Sequence, residues 1–394
     1  MFSPAVPTTD PASLERRESG DTPSGPILKQ PDAEFGGTLA RAKLERRLLW
    51  KIDLRMSILV LIYMYIDRNN AAAARLRGLE KDLHLKGQQF PTLLSILYVG
   101  YIIFQIPSNM FLNHIGKPSV YLPASMLIWG CISVLTGVTT NFTGAVVTRF
   151  FLGVVEAAFF PGALFLLSKW YKRDELGLRT ALLYCGSLIS NAFGSLIAAG
   201  VLNGMDDKLG HAAWRWLFYI EGALTMFFAV VAIFILPDFP STSKFLSPLE
   251  RRLAEVRMAE DVGETDSESG GHLTGLILAV TDWKVWWMAL ALTAMAIGLS
   301  FNQYFPTLAA TLGYSRTITL LLCAPPWGFA TVIVFIVARF GMGFGNERFF
   351  HIISPLSIGI VGFIIALSVE PRYFALFLMA QSYGGFIVFL SWIS

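Results

Sequence analysis

Arg149 and Glu156 raise the first chemical question. In "NFTGAVVTRFFLGVVEAAFFPGALFLLSKWY", Asn141 to Tyr171, they stand seven residues apart inside an apolar run. On a helix that spacing is two turns, so both side chains share one face. Glu156 is about fourteen residues from either end of the segment, too deep for any error in the boundary to bring it to the surface. A carboxylate can take a proton and lose its charge, whereas an arginine cannot, so the two have the parts for proton coupling. The arginine fork also suits a carboxylate ligand, because it can hold two oxygens at once. The alternative is a structural ion pair that only fastens helices together.

A second charged pair, Asp67 and Arg68, sits in "YMYIDRNN". The unbroken apolar run before it, Met56 to Ile66, is eleven residues. That gives about 17 Å of helix against a hydrocarbon core of about 30 Å. The helix is therefore expected to continue through Asn69, Asn70 and the alanines 71 to 74, placing the pair in the outer half of a membrane. The competing reading is that the pair marks the water interface. Tyr65, Tyr98, Tyr101, Gln105, Ser187, Asn191, Asn302 and Gln303 could line a cavity; each alone could equally make a hydrogen bond between helices. Glycines 186, 194 and 200 predict close packing of the fifth span.

The elements that position these residues follow from the composition. Of 394 residues, 54% are hydrophobic and 15% charged, the balance of a polytopic membrane protein. A net charge of +3 gives no case for nucleic acid. Ten apolar segments are expected, near 54–73, 88–112, 119–138, 142–168, 178–202, 214–236, 284–305, 317–338, 349–369 and 373–394. Residues 1–45 read as a disordered cytoplasmic tail without a signal peptide, 46–237 as a six-helix bundle, 238–283 as a cytoplasmic central loop, and 284–394 as a partial second bundle.

Basic residues agree with a cytoplasmic N-terminus in most loops, including Lys117, Lys169, Lys172 and Arg173. Arg75, Arg77, Lys81 and Lys86 break the rule, which predicts a role for that segment beyond connecting helices. Asn141 heads a sequon pressed against the membrane. Cys131, Cys185 and Cys323 lie inside apolar runs as small hydrophobes, and no metal, cofactor or enzyme constellation is expected.

These residues carry a resemblance. "YIDRNN", "LYVGYIIFQIPSN", "HIGKPSVYLPASMLIWG", "RFFLGVVEAAFFPGALFLLSKWY" and "WRWLFYIEG" are similar to the fungal anion:cation symporters of the major facilitator superfamily, the allantoate, nicotinate and vitamin permeases. The resemblance covers about residues 45 to 394. It implies an all-α major facilitator fold and proton-coupled uptake of a small organic anion by alternating access, at the plasma membrane and as a monomer. Carried over by motif, Asp67, Arg68, Arg149 and Glu156 take proton-coupling and substrate roles. The sequence departs from the family at Asn113, where the loop signature usually has Asp, and in "VARFGMGFGNERF", which lacks the second copy's Asp. Ending at Ser394, the chain is expected to lack spans 11 and 12 of such a fold. Two other readings stay open: an efflux antiporter, against which the fifth span lacks a Gly-Pro motif, and a sensor or transport-inactive relative.

Overall fold

The computed structural model describes residues 33–64, 70–205, 207–262, 272–341, 348–368 and 372–393. Tyr65, Asp67 and Arg68, and most of the glycine-rich loop after the eighth span, lie outside them. The chain divides into two compact units, Met1–Arg46 and Arg47–Ser394. The described residues are all-helical: α1 (Thr38–Met64), α2 (Asn70–Arg75), α3 (Leu79–Asp82), α4 (Gln89–Ile115), α5 (Pro118–Val138), α6 (Phe142–Glu156), α7 (Phe159–Ser168), α8 (Arg173–Gly204) and α9 (Ala213–Ile235). After these come α10 (Pro248–Val262), α11 (His272–Thr281), α12 (Trp283–Gly298), α13 (Phe305–Ala310), α14 (Arg316–Gly341), α15 (Arg348–Ser368), α16 (Arg372–Gln381) and α17 (Tyr383–Ile393).

Nine helical stretches among the described residues are long and apolar enough to cross a membrane. Their ends fall within a few residues of the sequence expectation, because each run stops at a strong signal such as Gly116 in the left-handed region or Pro118 at the first turn. One boundary moves. The helix α1 opens at Thr38, inside the stretch read as tail, since "TLARAKLERRLL" is rich in strong helix formers.

Glycines set two helix seams. A Cβ on Gly153 of α6 would collide with the Leu97 carbonyl of α4, and one on Gly100 of α4 with the Phe150 carbonyl of α6. At the second seam, a Cβ on Gly130 of α5 would come 2.9 Å from the Gly222 carbonyl of α9, and one on Gly222 would come 2.8 Å from the Gly130 carbonyl. Such contacts let backbones touch, which drives helix association where water supplies no hydrophobic force. The expectation for the fifth span is corrected in part: Gly200 is exposed and has nothing within 4 Å of its Cβ position, because it faces outward on α8. Gly153→Leu should therefore abolish recovery of monodisperse protein on size-exclusion chromatography. Gly200→Ala should be neutral or stabilise by up to about 1 kcal/mol through helix propensity.

The central segment also contains a helix that the sequence expectation treated only as loop. Glu250, Leu253, Ala254 and Arg257 of α10 are buried at helical spacing along one face. Lys51 Nζ lies 2.6 Å from Glu250 Oε1. Arg257 Nη2 donates to both oxygens of Glu175, at 2.7 and 2.6 Å, and is itself almost fully buried. The backbone N–H of Arg173 donates to Asp261 at 3.0 Å. Burial alone would raise the Glu250 carboxyl, but hydrogen bonds from Lys51 and Ser247 outweigh it and hold the carboxyl below its ordinary range. A depressed carboxyl contributes stability that is complete at neutral pH and lost as pH falls through its folded value. Release of α10, read as new protease cleavage between Pro248 and Val262, should thus begin only below the ordinary glutamate range, and Glu250→Gln should shift it to neutral pH.

Candidate functional site

Arg149 and Glu156 are 3% and 2% exposed, so the two charges the sequence singled out are both buried. They occupy one face of α6, two turns apart, which is about 10 Å along the axis. Glu156 is the last residue of α6. The helix relaxes at Ala157 and Ala158 before α7 resumes, because Pro161 has no N–H to give the Ala157 carbonyl. Both alanines keep right-handed dihedrals, so the span loosens locally without changing course. The Arg149 guanidinium carbon stands 5.4 Å from the centroid of Phe218 on α9, a cation–π contact that offsets part of its desolvation.

One turn along α9 from Phe218 is Glu221, 8% exposed. Sequence reasoning passed over it. The available signal was a carboxylate eight residues into a span, close enough to the end to pass as interfacial. Asn70, two residues after the Asp-Arg pair, is 3% exposed at the start of α2, and its Oδ1 has no hydrogen-bond partner among the described residues. The alanines 71 to 74 that follow are helical and buried, with Ala71 and Ala73 in a core that holds Trp214, Leu217 and Phe218 of α9. Thus α2, α6 and α9, which carry Asn70, Arg149 and Glu221, meet in one buried core that includes Ala71, Ala145 and Phe218.

The weaker candidates divide. Gln303 Nε2 donates to the Tyr98 hydroxyl at 2.6 Å, joining α4 to the 3-10 turn Ser300–Tyr304 that follows α12. Asn191 and Asn302 line one small cavity with Ala73, Ser195, Phe305 and Trp327. At about 20 Å³ it has room for roughly one water. Tyr101, Gln105 and Ser187 are half-buried and line neither this cavity nor the one described next. A wider cavity of about 500 Å³ lies between α1, α7 and α8. It is walled mainly by Met56, Leu59, Val60, Leu178, Leu182 and Leu183, with Asp53, Tyr171 and Arg179 as its polar corner. Asp53 accepts from Tyr171 Oη at 2.7 Å and from Arg179 Nε at 3.2 Å. Desolvation by burial and the Asp53 carboxylate both push the Tyr171 hydroxyl well above the ordinary tyrosine range. Neither Arg149 nor Glu156 lines this space.

Two of the four basic residues that broke the charge rule, Arg75 and Arg77, make specific contacts. Arg75 pairs with Glu80 at 2.9 Å and lies over the Phe90 ring, while Arg77 Nη2 donates to Thr317 Oγ1 at 3.1 Å on the first turn of α14. Asp82 accepts from Trp214 Nε1 at 2.8 Å. The sequon residue Asn141 caps α6, its Oδ1 accepting from the Gly144 N–H at 2.8 Å.

With the spans and their buried charges in place, comparison with known proteins decides the family. The family model described as Major Facilitator Superfamily matches residues 56–394. The chain belongs to the Major Facilitator Superfamily. It is therefore an integral, multi-pass membrane transporter with the major facilitator fold. Among its relatives in this superfamily is the MFS-type transporter cnsO of Penicillium expansum, 33% identical over 358 residues, covering 86% of this chain and 68% of the relative. The major facilitator-type transporter hxnP of Emericella nidulans is 30% identical over 385 residues, covering 93% and 75%. A putative tartrate transporter of Agrobacterium vitis is 31% identical over 338 residues, covering 84% and 73%. Among solved structures, the proton:xylose symporter XylE matches with a TM-score of 0.62 at 14% identity, over 88% of this chain and 82% of that one. A bacterial homologue of the human lysosomal transporter Spinster, inward-facing and unoccupied, also matches at 0.62, with 18% identity over 87% and 74%. At those identities the structures bear on the fold alone.

Proposed function

We propose that this major facilitator transporter imports a small organic anion, such as a carboxylate, ureide or vitamin, together with protons. It acts as a monomer in the plasma membrane, with the N-terminus cytoplasmic and residues 46–237 and 284–394 as its two bundles. The observation that carries the reading is the burial of Arg149 and Glu156 on one face of a membrane helix. A fixed cation at that depth gives an organic anion a reason to enter, and a carboxylate two turns away can alternate between charged and neutral forms as the site is exposed to each side. Asp67 and Arg68 take part in the same work. Glu221 and Asn70 extend the polar site beyond the residues chosen from sequence. Support for the anion comes from a relative at 31% identity that is named a putative tartrate transporter. The test is initial uptake of radiolabelled carboxylates and ureides, tartrate among them, measured from pH 5 to pH 8. Uptake stimulated by external acid is expected; uptake that ignores pH would overturn the reading.

A further inference from the structure

A pocket of about 350 Å³ opens where the end of α9 and the chain after it meet α1 and the start of α5. Its polar wall is built from Arg55, Ser119, Asp238, Ser243 and Lys244. The Arg55 guanidinium is held in place twice: its carbon stands 4.2 Å from the Phe245 ring centroid, and Nη1 donates to the Ile235 carbonyl at 3.0 Å. Its other N–H groups have no acceptor among the described residues. Lys244 is exposed at the rim. The acidic residue in the pocket is already engaged, since Asp238 Oδ1 accepts from Ser119 Oγ at 2.6 Å and from the Ser119 N–H at 3.3 Å.

The observation that turns this from a charged patch into a site is Ser243. It is 2% exposed and lines the pocket, yet its hydroxyl has no partner among the described residues. A buried, unpaired hydroxyl is unfavourable unless something in the pocket completes it. A ligand with several acceptor oxygens would satisfy Ser243, Arg55 and Lys244 together, whereas a cation would meet two like charges.

The pocket also has an apolar approach. Ile233 lines it and is 41% exposed, and it continues an outward stripe of α9 with Phe227, Val230 and Phe234, all exposed and spaced three and four residues apart. In a membrane protein such a stripe faces hydrocarbon. An anionic oxygen cluster at one end of an exposed apolar stripe is the outline of a phospholipid. We propose that this pocket binds the phosphate headgroup of an anionic phospholipid, with its acyl chains lying along that stripe of α9.

The test is native mass spectrometry of the full chain in detergent, with phosphatidylinositol phosphate, phosphatidylserine, phosphatidylcholine and inorganic phosphate as separate arms. The anionic lipids are expected to be retained over phosphatidylcholine, and inorganic phosphate is expected not to displace them. Lys244→Gln should weaken retention about fivefold and Arg55→Gln with Lys244→Gln about 25-fold, the factor expected for two basic side chains at a membrane surface. Lys244 is exposed, so its replacement keeps the test decisive even if the double variant folds poorly. Retention unchanged in Lys244→Gln would overturn the proposal. Displacement of the lipid by millimolar inorganic phosphate would overturn it too, by making the pocket a site for a free anion.

Discussion

Replacing Arg149 by lysine should raise the KM for an anionic substrate at least about tenfold, and replacing it by alanine should leave no measurable uptake. Lysine keeps the charge but not the planar fork, so two parallel hydrogen bonds to a carboxylate become a single point contact. The loss of one charge-assisted bond is worth about 1.5–3 kcal/mol, which corresponds to a factor of ten or more in affinity. Arg149 is 3% exposed and sits over Phe218, so alanine would also leave a cavity beside α9. The lysine variant separates the roles. A concentration series that gives wild-type KM in Arg149→Lys would make the arginine a helix fastener and remove the basis for an anionic substrate.

Glu156→Gln should have the second large effect, on coupling rather than on binding. The amide has nearly the shape of a protonated carboxyl but cannot release a proton. A transporter locked in that form is expected to exchange labelled for unlabelled substrate at near wild-type rates while losing accumulation against a gradient. External acid should then stimulate net uptake less than about twofold, against the factor of ten per pH unit available to a proton-driven step. Equal acid stimulation in wild type and Glu156→Gln would move the coupling role to another carboxylate, and Glu221, 8% exposed on α9, is the next to test.

How far the sequence foretold these features depends on how local each one is. Span positions were legible because about 20 apolar residues between polar ends state their own length. The burial of Arg149 and Glu156 was legible because a charge deep in such a run cannot reach the surface. The glycine seams were not, because a glycine's role depends on which helix lies opposite. Gly153 meets the Leu97 carbonyl across a seam that no spacing within α6 could reveal, while Gly200, flagged from its place in the fifth span, faces open space. Glu221 was missed for a related reason: eight residues into its span it could pass as interfacial, and only the packing around α9 buries it to 8% exposed. The helix α10 was hidden by its own charges, since Glu250 and Arg257 lie on the buried face with Leu253 and are neutralised by Lys51 and Glu175, residues far away in sequence. The pair at Asp67 and Arg68 remains an expectation from helix length, flanked in the structure by α1 and by the buried alanines of α2.

The most direct test of proton-coupled anion import uses proteoliposomes loaded with a pH-sensitive dye, to which a transported carboxylate is added outside with no imposed gradient. The account predicts that substrate addition acidifies the lumen of wild-type vesicles, at a rate that tracks labelled uptake, and that Glu156→Gln vesicles take part in exchange without acidifying. Substrate accumulation in wild-type vesicles with no movement of protons would contradict it.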